Sequence, residues 1–184
     1  IGLFEFGVLR YDLSTKSFLD PWDFSSQQGG GQGGNQQPTS DITSIEVMDS
    51  GEIAIGTFQG GWIFSPLSSS WTRLDGPGRG ATDGIYALSS SGTKLYAGVL
   101  GEGLCSFSSP SFETSNADCL DGGDLPSEDI FSIDISGTDI LVGLEGGAAI
   151  VDITSYTVTD TWESSPSNSE LATGLVDQNI LYIS

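Results

Sequence analysis

Short runs of alternating apolar and polar residues, separated by Gly, Asp and Ser, extend along most of the chain. The clearest runs lie in residues 42–71, ITSIEVMDSGEIAIGTFQGGWIFSPLSSSW, with a first turn at residues 49–51 and a second at Gly60-Gly61. Alternation with period two, bounded by turn residues, is typical of half-buried antiparallel strands. The pattern therefore predicts a unit of four short strands that follow one another in a meander.

The unit recurs at a nearly fixed spacing. Gly98 follows Gly56 by 42 residues, and Gly143 follows Gly98 by 45 residues. A second landmark, Gly61, has its expected counterpart 42 residues later at Gly103. Repeats of about forty residues with four strands each are typical of propeller blades, whereas β-helical coils repeat at about half that length. The expected fold is all-β, a β-propeller of four-stranded antiparallel blades.

The repeats divide one propeller domain, residues 1–184, into three complete blades with a partial blade at each end. The complete blades are expected at 41–82, 83–128 and 129–171, the end of a blade at 1–24 and the start of a blade at 172–184. The first segment aligns with the middle of the unit, with Gly2 on Gly56 and Gly7 on Gly61. The partial blades could pair into one composite blade, four in all, or belong to a longer propeller, which is the preferred interpretation.

Residues 25–40, SSQQGGGQGGNQQPTS, contain no hydrophobic residue. Such a segment has nothing to bury, and we expect a flexible Gly/Gln-rich surface loop between two blades. A spacer or adhesive tract is the alternative interpretation.

The chain carries 25 Asp and Glu against five Lys and Arg, a formal net charge of -20. Nucleic acid is therefore an unfavourable partner, because its binding needs basic residues that replace phosphate counterions. Acidity of this degree suits a medium in which salt screens the repulsion, such as an extracellular fluid. No apolar run reaches the roughly 18 residues of a membrane helix, so no membrane insertion is expected. The chain has no histidine, which excludes catalysis and metal binding that depend on histidine.

The repeats resemble those of propeller sensor domains in two-component regulators. The segments that carry the resemblance are ITSIEVMDSGEIAIGTFQGGW, from Ile42, and LPSEDIFSIDISGTDILVGLEGGAAIVD, from Leu125. The shared pattern is a Leu-Pro-Ser lead-in, an Ile-x-x-Ile strand, an Ile-Gly-Thr strand and a Gly-Gly turn. The aromatic residue that often precedes Ile-Gly-Thr is replaced by Ala54 in the first unit. The resemblance implies a non-enzymatic sensor module that binds a ligand or partner outside the cytoplasm.

Two acidic residues lie within the first strands of their units, flanked by apolar residues: Glu46 and Asp134. The first strand of a blade lines the central channel, so these carboxylates could hold calcium or cleave a glycan. Ser89 takes the same place in the second unit, which breaks the ring. A solvated channel wall is therefore the preferred interpretation.

The segment NADCLDGGDLPSED is locally the most acidic. Its residues Asp118, Asp121 and Asp124 could surround a calcium ion with oxygen ligands, although the spacing does not match a helix-loop-helix calcium site. Asp41, Asp83 and Asp129 each precede a first strand, where a turn-capping role is preferred over a ring of ligands. A solvated loop is the preferred interpretation of the acidic segment, and no cofactor is required.

Cys105 and Cys119 are the only two cysteines. They fall on neighbouring predicted strands, so a disulfide is sterically possible, and the acidic character of the chain favours it over two free thiols.

The expected function is a non-catalytic extracellular or cell-surface binding module that recognises a protein or glycan partner through the loops between strands. The alternatives are a structural subunit that self-assembles into a surface layer or filament, and a glycan-active enzyme. Six aromatic residues are expected to pack between blades rather than to bind sugar: Trp62, Trp71, Phe107, Phe112, Tyr156 and Trp162.

Overall fold

The structure is a computed structural model that describes residues 2–3, 7–22, 41–74, 84–112, 117–163, 174–177 and 180–183. Within these ranges the regular structure consists of strands. They are β1 (Gly2–Leu3), β2 (Gly7–Val8), β3 (Tyr11–Asp12), β4 (Ser17–Phe18), β5 (Ile42–Val47), β6 (Ile53–Thr57), β7 (Gly60–Ser65), β8 (Ser70–Leu74), β9 (Ile85–Ser91), β10 (Lys94–Val99), β11 (Gly103–Ser108), β12 (Asp118–Leu120), β13 (Ile130–Ser136), β14 (Asp139–Leu144), β15 (Gly147–Asp152), β16 (Thr157–Glu163), β17 (Gly174–Asp177) and β18 (Ile180–Ile183).

The strands form antiparallel sheets in chain order, as the repeat predicts. Sheet 1 is β5-β6-β7-β8, sheet 2 is β9-β10-β11-β12, and sheet 3 is β13-β14-β15-β16. The pairs β1-β2, β3-β4 and β17-β18 form two-stranded sheets. Each four-stranded sheet is therefore one blade, and the predicted all-β architecture is confirmed.

The hydrophobic core lies between the sheets. In β10, Leu95, Ala97 and Val99 contact buried residues of sheet 1, whereas Tyr96, on the opposite side of the same strand, belongs to the cluster shared with sheet 3. Successive side chains of a strand point to opposite faces, so both faces of sheet 2 are buried between its neighbours. Each fully buried aliphatic side chain contributes about 1.5–3 kcal/mol to folding.

Two glycines of the repeat allow neighbouring sheets to approach closely. A Cβ atom at Gly56 would lie 2.6 Å from the carbonyl oxygen of Ile85, at the start of sheet 2. A Cβ atom at Gly98 would lie 2.7 Å from Cγ2 of Ile130, at the start of sheet 3. Both distances are shorter than van der Waals contact, so the repeat needs glycine where the next blade begins.

The first strands of the sheets are adjacent, with β9 between β5 and β13. In a meander, the connections between second and third strands lie at the same end of the sheet as the start of the first strand. We call this end of the blades the upper face. It carries the turns β6–β7, β10–β11 and β14–β15 and the connection β12–β13. The lower face carries the other turns, such as β7–β8 and β13–β14. In the part of the chain that the structure describes, no helix is long and apolar enough to span a membrane.

The alignment of the second glycine landmark was wrong by one residue. Gly60, not Gly61, pairs with the last residue of β6, and Gly103 takes the same place after β10. Gly7 likewise corresponds to Gly60, because it pairs with Leu3. The cause is the turn β10–β11, which has one residue more than the turn β6–β7. The tract 25–40 and Asp83 lie outside the described residues, and the predicted blade boundaries stay predictions.

Candidate functional site

Three aromatic side chains from successive sheets form a row on the upper face. The Phe58 ring lies 5.5 Å from the Tyr86 ring, and the Tyr86 ring lies 6.1 Å from the Phe131 ring, between centroids. Phe58 is 42% exposed and Phe131 is 40% exposed, while Tyr86 is half-buried between them. We call Phe58, Tyr86 and Phe131 the aromatic row. It is the candidate binding site, because large apolar side chains grouped at a surface often mark contact sites.

Two members of the row, Tyr86 and Phe131, occupy β-bulges at the start of first strands, whereas Phe58 lies in the turn β6–β7. In β9, Ile85 pairs with Val99 and Ala87 pairs with Gly98, so Tyr86 is the extra residue of a bulge. Phe131 is the extra residue of β13 in the same way. A bulge disrupts strict alternation and re-aims a side chain, which explains why two consecutive apolar residues can lie in a buried strand.

Sheet 1 has the same bulge with a polar residue. Its extra residue is Thr43, between Ile42 and Ser44, and the Thr43 hydroxyl donates a hydrogen bond to the carbonyl oxygen of Ile85. In the turns, Leu100 of sheet 2 takes the place of Phe58 of sheet 1. The fold thus accepts threonine at the bulge and leucine in the turn, so the aromatic residues of the row are not required by the backbone.

The aromatic row differs from the six aromatic residues that the sequence pattern singles out. Of the six, Phe107, Phe112 and Tyr156 are buried in the clusters between sheets, Trp62 is buried, and Trp71 packs against a core cluster. Trp162 is the exception, since it is 41% exposed. Paired apolar residues at the start of a first strand, such as Ile130-Phe131, are the signal that could have revealed the row.

The channel carboxylates lie on first strands, as expected. Glu46 pairs with Ala54, Ser89 with Tyr96 and Asp134 with Leu141, so the three residues are equivalent in their sheets. A Glu46 carboxylate oxygen accepts a hydrogen bond of 2.6 Å from the hydroxyl of Ser90. This bond joins the first strands of sheets 1 and 2.

Asp134 accepts a hydrogen bond of 3.0 Å from the backbone N–H of Ile135. Its strand, β13, is separated from β5 by β9, so Asp134 and Glu46 do not lie on adjacent strands. The bond to Ser90 gives Glu46 a structural role between blades. A catalytic pair of Glu46 and Asp134 stays a prediction, and these contacts do not support it.

The acidic segment folds into a tight turn on the upper face. The backbone carbonyl of Asp121 accepts hydrogen bonds from the N–H groups of Asp124 and Leu125, and its carboxylate accepts one of 2.8 Å from the N–H of Gly123. Asp118 lies in β12 and is exposed. Among the described residues, no group of three or more acidic or cysteine side chains is arranged to hold a metal ion. Calcium binding stays a prediction.

The two cysteines form a disulfide. Cys105 of β11 and Cys119 of β12 are directly opposite in the antiparallel register, and the bond closes a segment with a sequence separation of 14. Cys105 is fully buried in the cluster between sheets 1 and 2. The bond therefore fastens the short outer strand β12 to the sheet, as the sequence predicted.

Comparison with known proteins gives structural likeness only. No family model matches the chain, and no curated protein matches it. The extracellular domain of the one-component system BT4673 from B. thetaiotaomicron is 17% identical, with a TM-score of 0.68 over 97% of this chain and 24% of that one. The extracellular domain of the hybrid two-component system BT3049 from B. thetaiotaomicron is 17% identical, with a TM-score of 0.67 over 94% of this chain and 22% of that one. BamB from Moraxella catarrhalis is 16% identical, with a TM-score of 0.57 over 79% and 44%.

The chain spans about a quarter of the length of the two extracellular domains it resembles. Two of these structures are extracellular domains of component systems of the class that the sequence resemblance named, and identities this low establish the fold alone. The three meander sheets, packed face to face around adjacent first strands, and these likenesses together make the chain a β-propeller of four-stranded antiparallel blades.

Proposed function

We propose that this chain is part of a non-catalytic recognition propeller that works outside the cytoplasm and binds a protein or glycan partner through its upper face. The observation that carries the proposal is the aromatic row, which three sheets build together and leave half exposed. Residues of separate, firmly packed blades hold fixed relative positions, so the row is organised before a partner arrives. Such preorganisation reduces the entropic cost of binding.

Two further observations support a location outside the cytoplasm. The disulfide between Cys105 and Cys119 is a kind of bond that forms and persists in oxidising compartments and is rare in the cytosol. The solved structures similar in fold include extracellular domains of regulators. A sensing role like that of such domains is consistent with a rigid propeller whose loops carry the specificity.

A binding panel with matched variants tests the proposal. The whole chain is exposed to neutral oligosaccharides and to synthetic peptides of different charge, and saturable binding is measured together with any chemical change in the bound compound. We expect saturable binding of at least one member and no turnover. Phe58→Leu together with Phe131→Thr should weaken that binding, because both exposed rings of the row are removed. The fold should stay unchanged, because the same residue types stand at the equivalent positions Leu100 and Thr43.

Leu67→Ala is the control, since Leu67 is 98% exposed in the turn β7–β8 on the lower face. Turnover of a bound glycan would overturn the non-catalytic assignment. Binding that resists the upper-face substitutions and falls with Leu67→Ala would place recognition on the other face and overturn the proposal.

A further inference from the structure

The face that carries the aromatic row is rich in carboxylates. The connections and turns of the upper face contribute acidic residues from all three sheets: Asp41, Glu102, Asp124, Asp129 and Glu145. Among the described residues of these connections there is no lysine or arginine. Arg73, at the end of β8, lies nearest in the fold, and its guanidinium already contacts the Trp62 ring and the carbonyl oxygen of Gln59. The described connections of the upper face therefore carry more negative than positive charge.

The lower face has a different balance. Within the described residues it carries lysines, Lys16 in the turn β3–β4 and Lys94 at the start of β10, beside acidic residues such as Asp139. Among the described residues, both lysines thus lie at the lower face, whereas the cation at the upper end of the blades, Arg73, is held against the turn β6–β7 by its bond to Gln59. A cationic partner would be attracted to this end of the blades and steered toward the row.

The geometry of the rings also limits the partner. The Tyr86 ring is inclined by 70° to the Phe58 ring and by 77° to the Phe131 ring. Because the Tyr86 ring stands between the other two and is nearly perpendicular to each, the three rings do not form one continuous flat surface of the kind on which a chain of sugar rings stacks. Separate cations can instead each occupy one ring face, which is a favourable contact.

Resting on the proposed function, we infer that the partner is a positively charged peptide segment of another protein, with arginine or lysine side chains spaced by apolar residues. The cationic heads would lie over the exposed parts of the Phe58 and Phe131 rings and beside the exposed carboxylate of Glu145. The apolar residues would contact Leu100, which is itself 40% exposed between the turns of sheets 1 and 3. A second copy of this chain is disfavoured as partner, because two molecules of charge -20 repel each other.

The test measures binding of three labelled probes to the whole chain: a peptide of repeating Arg-Ser-Leu, the same peptide with Gln in place of Arg, and a neutral linear oligosaccharide. We expect the Arg peptide alone to bind saturably, and to bind more weakly as salt rises. Phe58→Leu with Phe131→Thr should weaken it about tenfold, since two cation–π contacts are lost while the turn and the bulge keep residues that the repeat accepts.

A pair of charge variants separates local contacts from general attraction. Glu145→Gln on the upper face and Asp139→Asn on the lower face each remove one negative charge from an exposed side chain. Glu145→Gln should weaken binding of the Arg peptide about threefold, which is within the range of one exposed ion pair. Asp139→Asn should leave the affinity for this peptide unchanged. Equal effects of the two variants would mean non-specific attraction to an acidic protein and would overturn the inference.

The outcomes also distinguish this inference from the proposed function. Binding of the oligosaccharide, lost with Phe58→Leu and Phe131→Thr, would overturn the cationic peptide and leave the proposed function standing. Binding of the Arg and Gln peptides with equal affinity would do the same, because it would assign recognition to apolar contact. Absence of binding by the Arg peptide would overturn the inference, and the wider panel would then decide the proposed function. Unchanged circular dichroism and melting temperature of each variant confirm that folding is not the cause.

Discussion

The phenol oxygen of Tyr156 donates a hydrogen bond of 2.7 Å to the carbonyl oxygen of Leu104, a residue 52 positions earlier in the chain. Tyr156 lies in the turn β15–β16 of sheet 3, and Leu104 lies in β11 of sheet 2. Tyr156 adopts a left-handed backbone conformation, with φ of 52°. Its ring is buried near the Tyr96 ring, at 6.1 Å between centroids. One side chain thus connects two blades through both packing and a hydrogen bond.

Tyr156→Phe should lower the free energy of unfolding by about 1–3 kcal/mol, because the carbonyl of Leu104 would lose its side-chain partner inside the protein. The ring volume is kept, so packing changes little. Equilibrium unfolding in urea measures the difference. Tyr11→Phe is the matched control, since Tyr11 is 45% exposed at the N-terminal sheet, and it should leave the midpoint unchanged. Equal stability of the Tyr156→Phe variant and the wild type would contradict this account of the contact.

Burial also raises the pKa of Tyr156 far above its ordinary value of 10.0. The folded state therefore favours the neutral phenol, and this contribution to stability is complete below pH 10 and is lost as pH rises above it. The wild type should lose stability above pH 10 more steeply than Tyr156→Phe, as measured by unfolding at fixed temperature across alkaline pH. Parallel curves for the two proteins would show that this phenol makes no alkaline contribution.

Gly98→Ala tests the close approach of sheets 2 and 3. The added methyl group would lie 2.7 Å from Cγ2 and 2.8 Å from Cβ of Ile130. Overpacking of this kind costs about 1–3 kcal/mol, seen as a lower urea midpoint with an unchanged slope. Ile130→Ala alone should also lower the free energy of unfolding, because buried volume is lost.

The double variant supplies the control for this prediction. If the methyl group conflicts with Ile130, Gly98→Ala should cost less in the background of Ile130→Ala than in the wild type, with a coupling of about 0.5–3 kcal/mol. Additive effects of the two substitutions would mean that residue 98 and Ile130 do not compete for the same space.

The disulfide is expected to stabilise the second blade. Replacing Cys105 and Cys119 together with alanine should lower the free energy of unfolding by about 3 kcal/mol, the value of the chain-entropy relation for a loop of this size. Alanine is preferred to serine at position 105, because the side chain is fully buried and a hydroxyl there would lack a partner. Thermal unfolding with and without reductant gives the measurement. The melting temperature of the wild type should fall with reductant, and that of the double variant should not.

The sequence predicted what depends on local pattern. Alternation and turn residues located the strands, and the equivalence of Glu46, Ser89 and Asp134 follows correctly from the repeat. The pairing of Cys105 with Cys119 followed from their places on neighbouring strands. These features are set within one blade, where sequence spacing and spatial spacing agree.

The aromatic row could not be predicted in the same way. Tyr86 and Phe131 occupy bulges, where an extra residue interrupts the alternation that assigns side chains to faces. Their contact with one another joins two blades, and the sequence spacing within a blade contains no information about that distance. The extra residue in the turn β10–β11 had a similar effect on the alignment of Gly103 with Gly61. Insertions of one residue shift register without changing the hydrophobic pattern.

The sequence pattern also did not predict a turn that recurs on the lower face. Asp12 and Asp152 stand at equivalent places at the ends of the third strands β3 and β15, each five residues after its glycine, Gly7 or Gly147. The Asp12 carboxylate accepts hydrogen bonds from the backbone N–H and the hydroxyl of Ser14, at 2.7 and 2.6 Å. The Asp152 carboxylate accepts hydrogen bonds from the backbone N–H and the hydroxyl of Ser155, one residue further along, at 2.7 and 2.9 Å. The aspartate thus organises a turn that leads into the fourth strand.

These turns should make the protein sensitive to acid. The hydrogen bonds from Ser14 lower the pKa of Asp12 from 3.8 to about 2, and those from Ser155 lower the pKa of Asp152. Since the folded pKa lies below the unfolded value, the stabilisation is present above pH 3.8 and is lost as pH falls through about 2. A titration of the carboxyl carbon signals by NMR should place the midpoint of Asp12 near 2.

Replacement of both aspartates separates this effect from general acid unfolding. Asp12→Ser with Asp152→Ser is the suitable change, because Ser65 and Ser108 hold the same place in sheets 1 and 2. The variant should be less stable than the wild type at neutral pH, and the difference should vanish as pH falls from 4 toward 2, where the wild-type carboxylates become protonated. Glu145→Gln, in the turn β14–β15 on the upper face, serves as the control for loss of one exposed carboxylate. A stability difference that persists unchanged at pH 2 would mean that the turn depends on side-chain shape and not on the ionised carboxylate.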